Sequence, residues 1–251
     1  MPEPPAAPAA ADRLFVALDV ERLDEADALL DRLAGVVGGC KIGSQLFTAA
    51  GPRAIERALE RGYRVFLDLK YHDIPNTVAG AVRAATRLGV FMLNVHAGGG
   101  TAMMRTGVEA AATAARDFAV PRPLVLGVTV LTSLDRRTLE ADAGVPGTVE
   151  AHVLRLAERA RAAGLDGCVA SAREIAPLRL GLGRSWVIVT PGIRPAERDD
   201  DQARTATPGA AVRAGADYLV VGRPITAAPD PAVAARAILE EVGRAGVRFP
   251  V

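Results

Sequence analysis

Short apolar runs alternate with longer stretches in which apolar residues recur at helical spacing, and the pattern repeats along most of the chain. The first run covers residues 14–18 and ends at Asp19; a second passes through Cys40 and ends at Lys41-Ile42-Gly43; the third is 64–70. A fourth, 90–95, stops at His96, and a fifth, 124–130, stops at Leu131-Thr132-Ser133. Residues 167–170, 186–189 and 218–221 complete the set. Helical periodicity occupies 23–33, 52–61, 77–87, 102–115, 149–163 and 232–242. Strands that are apolar almost throughout, separated by amphipathic helices, predict a parallel sheet covered by helices. Eight such runs in a chain of this length predict a closed (β/α)8 barrel rather than an open doubly wound sheet. The Gly98-Gly99-Gly100 turn lacks the spacing of a dinucleotide-binding loop.

In a barrel of this kind the C-terminal ends of the strands share one face, where chemistry takes place. Those ends carry Asp19, Lys41, Asp68 with Lys70, His96, Thr132, Arg194 and Arg223. The densest stretch is Phe-Leu-Asp-Leu-Lys-Tyr-His-Asp-Ile-Pro-Asn-Thr at 66–77. On a regular strand Asp68 and Lys70, two residues apart, point to the same face. Asp73 follows, and Ile74-Pro75 bars helix until Asn76-Thr77 offers capping side chains. A lone Asp-x-Lys is usually a surface ion pair of little energetic worth. Charge recurring at one strand end after another argues instead for a site. Pro191-Gly192-Ile193-Arg194 and Gly222-Arg223-Pro224 close the last two strands, where this fold binds phosphate. Glycine admits backbone N–H groups to an anion, and arginine can clamp its oxygens. The Asp199-Asp200-Asp201 run is expected to face solvent while Gln202 faces inward.

Composition narrows the class. The chain has 251 residues, half of them hydrophobic, with a formal net charge of +1. One barrel domain is expected over 12–251, after a Pro/Ala-rich disordered tail at 1–11 without the features of a signal peptide. Near-neutral charge and few aromatics argue against nucleic acid or a membrane surface as partner. No apolar run approaches the ~18 residues of a membrane span. Cys40 and Cys168 lie in apolar runs without metal-ligand spacing and read as buried hydrophobes in a reducing compartment. A soluble cytoplasmic protein is expected. His96 reads as a hydrogen-bonded barrel-end residue, His72 as a turn residue, and Met103, Met104 and Trp186 as packing.

Asp-Leu-Lys-Tyr-His-Asp-Ile-Pro-Asn-Thr at 68–77 resembles the signature of the orotidine 5′-phosphate decarboxylase family. Collinear matches are Leu18-Asp19, Lys41-Ile42-Gly43, 128–133, 190–195 and 221–226. The resemblance implies a cofactor-free, metal-free homodimer that converts orotidine 5′-phosphate to uridine 5′-monophosphate and CO2. It makes Lys70 the proton donor to pyrimidine C6, with Asp68 against the substrate carboxylate and Lys41 beside it. Asp19 and Lys41 would bind ribose hydroxyls, and Thr132 the pyrimidine edge. Arg194, Gln202, Gly222 and Arg223 would hold phosphate, the loop between Arg194 and Gln202 closing as a lid. Asp73, Ile74 and Thr77 would enter the neighbouring subunit's pocket, Asp73 completing a roughly neutral Lys41–Asp68–Lys70–Asp73 array.

Three other readings use the same residues. A Mg2+-dependent phosphosugar decarboxylase, aldolase or epimerase would place a metal among the carboxylates, where the interleaved lysines repel a dication. A Schiff-base aldolase needs Lys41 or Lys70 deprotonated, which flanking carboxylates disfavour. A non-catalytic nucleotide-binding protein would have no need of the intact charged set.

Overall fold

A computed structural model describes residues 9–194 and 206–245. The eight strands are β1 (Leu14–Ala17), β2 (Gly39–Gly43), β3 (Arg64–Tyr71), β4 (Met92–His96), β5 (Leu124–Val128), β6 (Gly167–Val169), β7 (Val187–Thr190) and β8 (Tyr218–Val221). Each pairs in parallel with the next, and β8 returns to β1, closing the barrel expected from the sequence.

The strands are apolar on both faces because each face meets a different core. In β1, Phe15 and Ala17 point into the barrel, while Leu14 and Val16 pack outward against the helical layer. In β8, Tyr218 and Val220 point inward, while Leu219 and Val221 point outward. Alternation therefore persists in the geometry although the sequence shows none. Aromatic rings seal the N-terminal end: Phe15 stacks on Phe91 at 6.0 Å and meets Tyr218 edge-on at 5.7 Å. The Arg64 guanidinium lies 4.6 Å from the Phe91 ring centre. Gly39 is needed beside this plug, since a Cβ there would come within 2.3 Å of the Phe15 ring. The bottom of the barrel is thus filled, and the cavity opens at the opposite end.

The helices depart from expectation mainly by addition. Ser44–Ala50, Arg136–Ala141, Ile175–Leu182 and Pro208–Ala214 are helical, although the sequence pattern did not mark them. Ile175–Leu182 contains Pro177 and Gly181, both poor helix formers, but Pro177 sits in the first turn where its missing N–H costs nothing. Ala10–Arg13 forms one helical turn whose first two residues fall in the expected tail, while residues 1–8 lie outside the described residues. Among the described residues no helix is long and apolar enough to cross a membrane.

Candidate active site

A cavity of about 420 Å3 opens at the C-terminal end of the barrel, within the usual range for a small-molecule site. Asp19 enters it from the end of β1, Lys41 from β2, and Asp68 and Lys70 from β3. Thr132 approaches beyond β5, Arg194 beyond β7, and Gly222 and Arg223 beyond β8. Eight of the residues singled out from the sequence therefore line one cavity.

Four of them form a chain of alternating charge. Lys41 Nζ donates to Asp19 Oδ1 at 2.8 Å and lies 3.4 Å from Asp68 Oδ2. Lys70 Nζ donates to Asp68 Oδ1 at 2.8 Å. Two ammonium groups and two carboxylates offset one another, so the array can be partly withdrawn from water without net charge. Lys41 and Asp68 are each only 9% exposed. Burial by itself would raise the Asp68 carboxyl. The charges of Lys41 and then Lys70, with hydrogen bonds from Lys70 and Asn94, outweigh it and hold the group below the ordinary carboxylate value. Gly43 keeps the Lys41–Asp19 contact open: a Cβ there would stand 3.0 Å from Lys41 Nζ and 3.4 Å from Asp19 Oδ1.

Asp68 and Lys70 share this space as strand alternation predicts, Phe66, Asp68 and Lys70 lining the cavity while Leu67, Leu69 and Tyr71 pack against the outer core, although the pairing with β4 is irregular here. The β3–β4 register runs from Leu67↔Leu93 to Tyr71↔Val95, so Asp68, Leu69 and Lys70 stand opposite Asn94 alone. The strand bulges there, and Lys70 takes the left-handed conformation with φ +52°. A non-glycine residue held so costs on the order of 1–3 kcal/mol, supplied by its surroundings. Asn94 is fully buried; its Oδ1 accepts the Lys70 N–H at 2.8 Å and its Nδ2 donates to Asp68 Oδ1 at 2.7 Å. The sequence reading missed Asn94. Its signal was a lone amide in the apolar run Met92-Leu93-Asn94-Val95.

The two turns expected to take phosphate follow β7 and β8. Arg194 is buried at 6% exposure and follows Gly192, whose φ of +74° an L side chain would rarely adopt. Arg223 is exposed and opens the short helix Arg223–Thr226 behind Gly222. Gln202 and the Asp199–Asp201 run lie outside the described residues.

Asp73, Ile74 and Thr77 do not line this cavity. All three are exposed, Ile74 at 67%, where Pro75–Arg87 begins its helix. His96 Nδ1 accepts the Gly98 N–H, and its ring stacks on exposed His72 with centres 4.9 Å apart. Met103 and Met104 are buried in the outer core. Trp186 is buried and donates Nε1–H to Cys168 Sγ at 3.2 Å. Burial pushes the Cys40 and Cys168 thiols up to about 12, so both stay protonated. Among the described residues no three His, Cys, Asp or Glu side chains gather as a metal site.

Residues 12–238 match the family model described as Orotidine 5′-phosphate decarboxylase / HUMPS family. A curated orotidine 5′-phosphate decarboxylase of Moorella thermoacetica is 56% identical over 93% of each chain. Another, of Halorhodospira halophila, is 54% identical over 93% of this chain and 97% of its own. Among solved structures, orotidine 5′-phosphate decarboxylase from Lactobacillus acidophilus superimposes with a TM-score of 0.81 at 35% identity, covering 92% of this chain and 99% of that one. With the strand-end charges, the barrel and the match over nearly its whole length in agreement, the chain belongs to the orotidine 5′-phosphate decarboxylase / HUMPS family.

Proposed function

We propose that the protein is a carboxy-lyase that converts orotidine 5′-phosphate to uridine 5′-monophosphate and CO2 in pyrimidine biosynthesis. The carrying observation is the Asp19–Lys41–Asp68–Lys70 array at the open end of the barrel. When the bond from C6 to the carboxylate breaks, its electron pair stays on C6 in the ring plane, where the π-system cannot receive it. A fixed cation beside C6 must meet that charge, and Lys70 serves as both cation and acid, passing an Nζ proton to C6. Asp68 lies against the substrate carboxylate, repelling it in the ground state and orienting Lys70. Lys41 balances Asp68 and, with Asp19, binds the ribose hydroxyls. Thr132 takes the pyrimidine edge. Arg194, Gly222 and Arg223, joined by Gln202, take the phosphate, and binding energy gained there is used at C6.

The working enzyme is a cytoplasmic homodimer that needs no metal or cofactor. Asp73, Ile74 and Thr77, exposed and outside their own cavity, complete the partner's site and add Asp73 to its charge array.

Loss of the ultraviolet absorbance of orotidine 5′-phosphate on incubation with the protein tests the reaction. Lys70→Ala should lower the rate at least about 10⁴-fold, the combined scale of a general acid and an electrostatic stabiliser. Mixing inactive Lys70→Ala and Asp73→Ala chains should restore one working pocket per heterodimer. No recovery despite subunit exchange would remove the shared site. Activity that disappears with excess EDTA and returns with Mg2+ would favour the phosphosugar reading instead.

A further inference from the structure

We propose that Asn94 is a positioning residue for this reaction: its side-chain amide replaces the rung missing from the β3–β4 ladder and holds the Lys70 backbone and the Asp68 carboxylate in fixed relation. The inference rests on the assignment of Asp68 and Lys70 as the reacting pair.

Its orientation follows from its neighbours. The Lys70 N–H can only donate and the Asp68 carboxylate can only accept, so Oδ1 must face the first, at 2.8 Å, and Nδ2 the second, at 2.7 Å. The turned amide would oppose acceptor to acceptor and donor to donor. The Asp68 oxygen that Asn94 holds is the one that receives Lys70 Nζ, while the other faces Lys41. One buried side chain thus fixes the lysine from its backbone and the carboxylate from its head. Without it the Lys70 N–H loses its partner, and the main chain is free to leave φ +52°. That rotation would swing the lysine stem away from the point at which C6 must be protonated.

Asn94→Ala, Asn94→Asp and Lys70→Ala separate this role from simple core packing. In Asn94→Ala, kcat should fall on the order of 100-fold, the expected cost of a misplaced catalytic group. Affinity for uridine 5′-monophosphate, which lacks the reacting carboxylate, should stay within about threefold because the ribose and phosphate contacts are intact. Asn94→Asp retains an acceptor for the Lys70 amide but sets a second carboxylate against Asp68. The acid limb of its kcat profile should therefore move to higher pH. The proposal is overturned by an Asn94→Ala enzyme with undiminished kcat, by a loss of nucleotide affinity as large as the loss of kcat, or by an acid limb in Asn94→Asp that stays in place. Should Asn94→Ala fail to fold, the Asn94→Asp profile decides. A fully active Lys70→Ala enzyme would sink the premise and the proposal together, whereas inactive Lys70→Ala beside undiminished Asn94→Ala would sink the proposal alone.

Discussion

Lys70 donates through Nζ to Asp68 Oδ1 at 2.8 Å, from a backbone with φ +52°. The two side chains point to one face, as alternation along the strand requires, and they do so across a bulge in β3. Three residues of β3 face one of β4 there.

Lys41 and Lys70 together hold Asp68 ionised against its burial. Asp68 is held below its ordinary value, so it should remain ionised down past the usual carboxylate pKa of about 3.9. A depressed carboxyl contributes stability that is whole above its unfolded pKa and is lost as pH falls through its lower folded value. Lys41→Ala removes the larger of the two opposing charges and lets burial raise the group. The acid limb of kcat/KM should move upward in this variant and stability should be lost at higher pH. Rate profiles and thermal melts between pH 3 and 6 would check it, and an unmoved limb would show that Asp68 does not govern it.

Gly43→Ala tests how closely the array is packed. Gly43 has φ −94° and ψ −177°, open to any residue, so the substitution brings no backbone strain. Its Cβ would meet Lys41 Nζ and Asp19 Oδ1. The melting temperature should hardly change, while kcat/KM should drop on the order of 10-fold as the pair proposed to bind ribose shifts. Unchanged kinetics would mean that the pair moves aside freely.

Removal of the Arg194 guanidinium should act through the phosphate. Arg194→Ala should lower kcat/KM for orotidine 5′-phosphate on the order of 100-fold, the scale of a lost charge-assisted clamp. The slow reaction of orotidine, which has no phosphate, should be unaffected. Equal losses on both substrates would assign Arg194 a structural role.

His96 gives stability a second pH dependence. Burial first, then the neighbouring His72 and Lys70, lowers its pKa, so the folded protein favours the neutral ring. The Gly98 N–H donated to Nδ1 requires that nitrogen unprotonated. The unfolded chain binds a proton near pH 6.5 more readily than the folded one. Stability tied to His96 is therefore whole above that pH and declines as pH falls toward the lower folded value. Melting curves from pH 5 to 7.5 should be flatter for His96→Gln than for the unaltered protein. Identical slopes would remove the effect.

The order of strands and helices was legible because strand runs and helical stripes have different periods, and eight repeats admit few closed solutions. Asp19, Lys41, Thr132, Arg194 and Arg223 were legible for the same reason. A polar residue where an apolar run stops must lie at a strand end, and parallel strands bring those ends together. Helices such as Ser44–Ala50 were not legible, since a short uncharged segment has no stripe to reveal it. Nor was Asn94, whose importance lies in what stands across from it.

Chain order and residue type alone determined a barrel and the group of charges at its mouth, because both follow from periodicity and from where hydrophobicity ends. Tertiary structure alone decided how those charges touch. A three-against-one mismatch between neighbouring strands is a property of register, set by two segments together, and no reading of Asp68-Leu69-Lys70 by itself contains it. The left-handed turn at Lys70 and the amide beneath it exist only once β4 lies alongside.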